Sequence, residues 1–238
     1  MKNFFKKILV LGLTATLFTC GLTACKVNKD INVNVNVNGE EVVSTHIGTG
    51  SWEIAESTAM TADLQKIFDE AIGKIDGYSS KPVALLGTQV VSGTNYAFLC
   101  ESTIISESAM RSMMITYINV DPQGSATFVS DERVILPGTD VENGDTLAAG
   151  GWTYADSAEI TSDIKTMFEN IANKDVNDTY EPIAYVGSQV VAGTNHAVLC
   201  KAVSNTKADQ ASLVIVYVYE DLNGKCQITS TESIELSI

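Results

Sequence analysis

The side chains best suited to chemistry are few in this sequence, which has five cysteines and two histidines, His46 and His196. No CxxC pair and no cluster of cysteine with histidine suggests a zinc site. No arrangement of His, Cys, Asp and Ser repeats along the chain, and no glycine-rich loop suited to phosphate occurs. We therefore predict that the chain is not an enzyme and uses neither a cofactor nor a metal.

Cys25 has the most informative surroundings of the cysteines. Residues 1–7 are basic, residues 8–19 are mostly apolar, and small residues then lead to Leu22-Thr23-Ala24-Cys25. This order is typical of a secretory signal peptide, with an apolar region too short to span a membrane comfortably. The last four residues resemble a bacterial lipobox, which implies lipid attachment at Cys25 and an extracytoplasmic, membrane-anchored protein. The alternative is ordinary cleavage near Ala24, which would leave the Cys25 thiol free.

The composition argues against nucleic acid as a partner. The formal net charge is -14, from 15 basic and 29 acidic residues, and no basic cluster offsets the deficit. Loss of Lys2, Lys6 and Lys7 with the leader would bring the charge to about -17. Such a chain repels phosphate backbones, and acidity of this kind is usually a solvated surface. The hydrophobic content of 45% is sufficient for folded cores.

An internal repeat with a period of one hundred residues sets the organisation of the chain. Its longest match aligns residues 89–95 with residues 189–195. Pro82 and Pro182 are a further pair at the same spacing. Cys100 aligns with Cys200, so we expect two equivalent buried thiols rather than a disulfide. Cys200 and Cys226 would lie two strands apart, at about 9–10 Å, which is too far for a bridge.

Each copy has the same predicted elements. A short extended segment carries Trp52 or Trp152, which we expect in a core or on a strand face and not as anchors for a partner. A helix then begins near Thr61 or Thr161, whose hydroxyl can cap it. Apolar residues from Leu64 to Ile72 recur at helical spacing. Four strand-like runs follow at 82–91, 94–104, 112–120 and 126–136. The order predicts an α+β fold with a four-to-five-stranded antiparallel sheet wrapped around one helix.

These patterns give the predicted boundaries. Residues 1–24 form the signal peptide, 25–46 the lipidated cysteine and a tether, 47–137 domain 1, 138–146 a linker and 147–238 domain 2. The alternating valines and asparagines of residues 32–38 could pair as an edge strand. We favour a tether because this segment precedes the repeat.

The segment Gln189–Gly193, followed by Thr194 and Asn195, resembles the first hairpin of the stefins, which are cystatins without disulfides or glycosylation. Residues 147–151 resemble the N-terminal trunk of cystatins, in which apolar residues precede a flexible glycine. The resemblance covers residues 47–136 and 147–236, and it implies two tandem cystatin-like domains.

The cystatin resemblance also implies a function. Cystatins block the cleft of papain-like cysteine peptidases with the trunk, the first hairpin and a second hairpin, here Asp121–Gly124 and Asp221–Gly224. It implies peptidase-binding residues in copy two at Leu147, Gly150, Gly151, Gln189, Val190, Val191, Ala192 and Gly193, and in copy one at Gly50, Gln89, Val90, Val91, Ser92 and Gly93. Copy two is the better candidate because copy one has Gly50-Ser51 in place of the double glycine.

Two alternatives remain open from the sequence. The adjacent valines could be the two faces of an ordinary strand end that a glycine terminates. The domains could also be a non-inhibitory binding module with the cystatin fold, such as an adhesin or an envelope lipoprotein.

Neither copy has the tryptophan that many cystatins carry in the second hairpin, although stefins lack it too. His196, which replaces Tyr96, is interpreted as a strand position that accepts either ring and not as a ligand.

Overall fold

The computed structural model describes residues 31–37, 40–47, 50–73, 75, 78–104, 110–139, 150–172, 178–205 and 211–238. The chain divides into two compact units, Met1–Gly48 and Thr49–Ile238. The signal peptide, Cys25, most of the predicted linker and Leu147 lie outside the described residues. Among the residues that are described, no helix is both long and apolar enough to cross a membrane.

The first unit contains one pair of strands, β1 (Ile31–Val37) and β2 (Glu40–Ile47). They are antiparallel, and Val35 lies opposite Val42. The alternating segment assigned to a tether is thus paired with the residues that follow it.

The second unit contains both repeats, each with one helix and a five-stranded sheet. Repeat 1 comprises β3 (Trp52–Ile54), α1 (Ala62–Ile72), β4 (Tyr78–Val91), β5 (Gly93–Ile104), β6 (Met110–Val120) and β7 (Ala126–Arg133). Repeat 2 comprises β8 (Trp152–Tyr154), α2 (Ser162–Ala172), β9 (Asp178–Val191), β10 (Gly193–Ser204), β11 (Ala211–Glu220) and β12 (Cys226–Ile234). Neighbouring strands along the chain are antiparallel neighbours in each sheet, in the orders β3-β4-β5-β6-β7 and β8-β9-β10-β11-β12. The α+β prediction is confirmed, although the last strand of repeat 1 ends at Arg133 and not at residue 136.

The helices begin where the sequence predicts. The Thr61 hydroxyl accepts a hydrogen bond from the Leu64 amide at 3.3 Å, and Thr161 accepts one from Ile164 at 3.4 Å. Each bond satisfies an amide that has no partner within the helix. The apolar stripe of α1 faces its sheet and buries Phe68, together with Ala71 and Ile72.

The sheet faces opposite the helices pack against each other, so the repeats share one core that the sequence analysis did not predict. This core contains Leu99 and Tyr117 from repeat 1 with Leu199 and Tyr217 from repeat 2. Cys100 and Cys200 belong to the separate cores beneath the helices, and both are free, buried thiols as predicted. The second unit is therefore layered as helix, sheet, sheet and helix.

The two repeats make reciprocal contacts across this core. Gly87 lies on β4, and a Cβ atom added to it would be only 2.7 Å from Cδ1 of Leu236. Gly187 lies at the equivalent position of β9, and an added Cβ would be 2.7 Å from Cδ1 of Leu136. The segment after the last strand of each repeat thus crosses onto the other sheet at a glycine. Polar contacts are not symmetric, because Glu101 accepts from the Ala158 amide at 2.6 Å whereas Lys201 donates to the Ala55 carbonyl at 2.9 Å.

Candidate functional site

In each repeat the trunk glycine and the two hairpins lie at one end of the sheet. Successive antiparallel strands reverse direction, so the β4–β5 and β6–β7 turns share an end. The short strand β3 pairs with the last part of β4, with Trp52 opposite Gln89. The Gly50 amide then donates to the Val90 carbonyl at 3.1 Å. We call Gly50, residues 89–93 and residues 121–124 the hairpin end of repeat 1, and the residues one hundred later the hairpin end of repeat 2.

The glutamine of each first hairpin links the hairpin to the trunk glycine. Gln89 Nε2 donates to the Gly50 carbonyl at 2.8 Å, and Gln89 Oε1 accepts from Asn95 Nδ2 at 2.7 Å. In repeat 2, Gln189 Nε2 donates to the Gly150 carbonyl at 2.7 Å. The repeated glutamine and asparagine therefore hold the trunk against the hairpin, an arrangement that sequence reasoning missed for Asn95 and Asn195.

The hairpin glycines bring the first hairpin against the second. Gly93 has a φ of 104° and Gly193 a φ of 119°, a backbone conformation that residues with a side chain rarely adopt. A Cβ at Gly93 would collide with the Val120 carbonyl oxygen, and one at Gly193 would collide with that of Glu220. These carbonyls immediately precede the second hairpins, so only glycine allows this close approach.

The valines at the first hairpins face solvent. Val90 and Val91 are each 42% exposed, and Val190 and Val191 are 73% and 44% exposed. Alternate residues of a strand end packed in a core would place one valine of each pair inside. Neither valine of either pair is buried, so core packing does not account for them. Exposed apolar residues at a projecting turn are typical of a surface that meets a partner.

The second hairpins are closed by their first aspartate. Asp121 Oδ1 accepts from the amides of Gln123 and Ser125, each at 2.9 Å. Asp221 makes the same contacts, and the amides of Lys225 and Asn223 hold the pKa of its carboxyl below the usual range. The tips differ, since Pro122 in repeat 1 is replaced by Leu222, which is 83% exposed.

The two hairpin ends differ at position 119 and its counterpart. Asn119 Nδ2 donates to Asn95 Oδ1 at 2.7 Å, which extends the row of amides in repeat 1. Tyr219 occupies the equivalent position in repeat 2, and its hydroxyl donates to the Ala192 carbonyl at the hairpin tip. Sequence reasoning missed this residue; a comparison of the two copies next to the second hairpin could have found it.

On the helix-facing side, repeat 2 has a row of polar side chains behind the hairpins. Tyr185 Oη lies 2.9 Å from His196 Nδ1, and His196 Nε2 lies 3.2 Å from Glu220 Oε2. Burial raises the pKa of the Tyr185 hydroxyl above its ordinary value. His196 thus links three neighbouring strands, a role that the sequence analysis did not assign to it.

A small cleft of about 240 Å³ lies between repeat 1 and residues 154–156 of repeat 2. Its charged side chains are paired, because Arg111 Nη1 lies 2.8 Å from Asp156 Oδ1 and Lys81 Nζ lies 3.6 Å from Glu101 Oε2. Within the described ranges, no group of three or more His, Cys, Asp or Glu side chains is arranged to hold a metal ion.

Of the predicted binding residues that the structure describes, all lie at the hairpin ends except Gly151, which is half-buried between Gly150 and Trp152. Leu147 and Cys25 lie outside the described part of the chain. No protein-family model matches this chain, and no curated protein matches it with significant similarity.

Proposed function

We propose that this chain is a surface-anchored, reversible inhibitor of papain-like cysteine peptidases, built from two tandem cystatin-like domains. Lipid on Cys25 would hold it at the outer side of a bacterial membrane. The hairpin end of each repeat would enter the peptidase cleft, and repeat 2 would bind more tightly.

The order of elements in each repeat supports this proposal. A short strand, one helix and four further strands follow each other, and each sheet keeps the chain order from edge to edge. This is the arrangement that the stefin resemblance implies. Packing of the two sheets through their helix-free faces is compatible with it, because the valines of both hairpin ends remain exposed.

The observation that carries the proposal is the convergence of trunk, first hairpin and second hairpin, with exposed apolar residues at the tips. Val190, Val191 and Leu222 give repeat 2 an apolar projection that can displace water from a cleft. The tip residues are fixed by a sheet and by the Gln189 side chain, so they lose little conformational entropy on binding.

The same geometry explains why the inhibitor would not be cleaved. Val191 lies opposite Gly193 in the β9–β10 ladder, so the chain reverses over Ala192 alone. A peptidase cleaves an extended segment that lies along its cleft. A reversed tip fills the cleft without presenting such a segment, and inhibition needs no catalytic residue from this chain.

The test is inhibition of papain by residues 26–238, which contain the whole second unit. We expect stoichiometric inhibition with the chain intact by mass spectrometry. In a chain whose repeat 1 hairpin is already changed by Val90→Asp, Val190→Asp should weaken the remaining inhibition about 100-fold, because it replaces an apolar contact with a carboxylate that binding must desolvate. Val190 is preferable to Gly193 as the test position because a side chain at Gly193 would collide with the Glu220 carbonyl.

Val203→Asp is the matched control, since Val203 is a partly exposed valine near the other end of β10. It should leave inhibition unchanged. Absence of inhibition at micromolar protein would contradict the proposal and favour the non-inhibitory binding module. Equal losses from Val190→Asp and Val203→Asp would also contradict it, because the hairpin tip would then have no special role.

A further inference from the structure

The hairpins of repeat 2 are joined on one face of the sheet by Tyr219. This residue lies on β11, two positions before the second hairpin begins at Asp221. Its hydroxyl donates a hydrogen bond to the carbonyl of Ala192, the residue at the turn of the first hairpin. A Cβ at Gly193 would lie 2.9 Å from Tyr219 Cε2, so the ring also packs directly against the hairpin backbone.

The opposite face of the same sheet carries a second connection. Glu220 is the next residue along β11, so its side chain points to the other face. Its carboxylate lies 3.2 Å from His196 Nε2, and His196 Nδ1 lies 2.9 Å from Tyr185 Oη. The start of the second hairpin is therefore linked on both faces to the two strands that form the first.

Repeat 1 has other residue types at all four positions. Asn119 stands in place of Tyr219, and its amide bonds to Asn95 and not to the hairpin turn. The row on the helix-facing side is replaced by Leu85, Tyr96 and Val120, which pack against the core beneath α1. The four differences lie around one junction, the contact between the two hairpins.

We infer that Tyr219, assisted by the His196–Glu220 pair, is a positioning residue that locks the two hairpins of repeat 2 into one rigid projection. In repeat 1, the amide row from Gln89 through Asn95 to Asn119 joins the strands below the turns, and no described side chain bonds to the Ser92 turn as Tyr219 bonds to Ala192. The lock itself is a property of the free chain, whereas its effect on affinity rests on the proposed function.

The physical consequence is preorganisation. A turn that is already held in its bound conformation loses less entropy on docking, and the gain is mainly a slower dissociation. A single hydrogen bond of this type changes an equilibrium by a factor of about two to ten. Repeat 2 should therefore exceed repeat 1 in affinity even where the hairpin sequences match.

Hydrogen exchange of the full mature chain tests the lock without any partner. Tyr219→Phe removes the hydroxyl and keeps the ring beside Gly193. We expect the amides of residues 190–194 to exchange about two to ten times faster, with no change at residues 90–94. His196→Tyr, which installs the repeat 1 residue, should produce a smaller change in the same direction. Tyr96→Phe is the control, because it removes a tyrosine hydroxyl behind the first hairpin of repeat 1, and it should leave residues 190–194 unchanged.

Papain inhibition measured on the same variants separates this inference from the proposed function. If inhibition occurs, Tyr219→Phe should speed dissociation by the same factor and leave the association rate unchanged. Faster exchange in a chain that never inhibits papain would support the lock and reject the inhibitor. Unchanged exchange at residues 190–194 in Tyr219→Phe would overturn the lock, whether or not the chain inhibits.

Discussion

The two repeats present the same frame at their hairpin ends and differ in what surrounds it. Both hold the trunk glycine with a glutamine amide, at 2.8 Å from Gln89 and 2.7 Å from Gln189. Both need glycine where the hairpins touch. In repeat 1, Asn119 bonds to Asn95, and Ser92 occupies the turn of the first hairpin. In repeat 2, the Tyr219 hydroxyl bonds to the Ala192 carbonyl, and Leu222 is exposed at the second hairpin. The comparison separates the residues that build a projection from those that decide how rigid and how apolar it is.

The largest expected effect concerns the core that the two repeats share. Leu99 and Leu199 are both fully buried in it. Leu99→Ala should lower the free energy of unfolding by about 3 kcal/mol, through lost burial and the cavity left behind. Because the core is common, the loss should extend to repeat 2. Trp52→Phe would leave Trp152 as the single tryptophan of the chain. In that background, the loss should appear as a lower denaturant concentration at the midpoint of the Trp152 fluorescence transition.

Val129→Ala in the same background is the control, since Val129 is 44% exposed on β7, and its midpoint should move little. A Trp152 transition that Leu99→Ala leaves in place would show that the repeats unfold independently. That result would contradict the shared core.

The shared core also shows what the sequence could predict. The helix caps, the apolar stripe of α1 and the alternation of strands are local patterns, and they specified each repeat correctly. Residues 97–100 are all buried, as are residues 115–118. Such runs, apolar except at Thr116, indicate strands covered on both faces, and one helix covers only one face. This signal was available, but it does not say which surface provides the second cover.

The hairpin ends show the other limit. The stefin resemblance predicted a first hairpin at Gln89–Gly93 and at its counterpart, and the structure has a turn at each of these positions. The resemblance could not find Asn95, Asn119 or Tyr219, because their roles depend on register across three strands. In repeat 1 the row runs from Gln89 through Asn95 to Asn119. Cross-strand neighbours follow from pairing, which periodicity alone does not fix.

A smaller effect is expected at Thr116, where the repeats differ beneath their helices. Thr116 is fully buried and its hydroxyl makes no well-formed hydrogen bond, whereas repeat 2 has Val216 there. Thr116→Val should raise the free energy of unfolding by about 1 kcal/mol, because the weak contact of this buried hydroxyl with the Cys100 thiol does not offset the cost of its desolvation. Denaturant unfolding at pH 7 would measure this gain. A loss of stability would show that the hydroxyl is satisfied in the folded chain.

The same variant should change the titration of the neighbouring thiol. Burial raises the pKa of Cys100 from 9.0 to about 11, against the opposing effect of the Thr116 and Ser80 hydroxyls. Between those values the folded chain keeps a proton that the unfolded chain has lost, so stability falls as the pH rises. Burial alone raises the pKa of the equivalent thiol, Cys200, which has Val216 as its neighbour in place of Thr116. Thr116→Val should therefore raise the pKa of Cys100 further, and the pH at which the fall in stability ends should rise with it. A pH series of unfolding curves would measure the shift, and an unchanged pH at the end of the fall would contradict this role of Thr116.

The most direct test of the central claim compares the two hairpin ends in one binding experiment. Papain with a blocked active-site thiol would be titrated calorimetrically with residues 26–238, with Val190→Asp and with Val90→Asp. The account predicts that Val190→Asp removes the tighter of two binding events and leaves the weaker event at repeat 1, whereas Val90→Asp leaves the Kd of the tighter event unchanged within about threefold. Equal effects, or the larger effect from Val90→Asp, would contradict the primacy of repeat 2. Absence of binding by the unchanged chain would contradict the inhibitor itself.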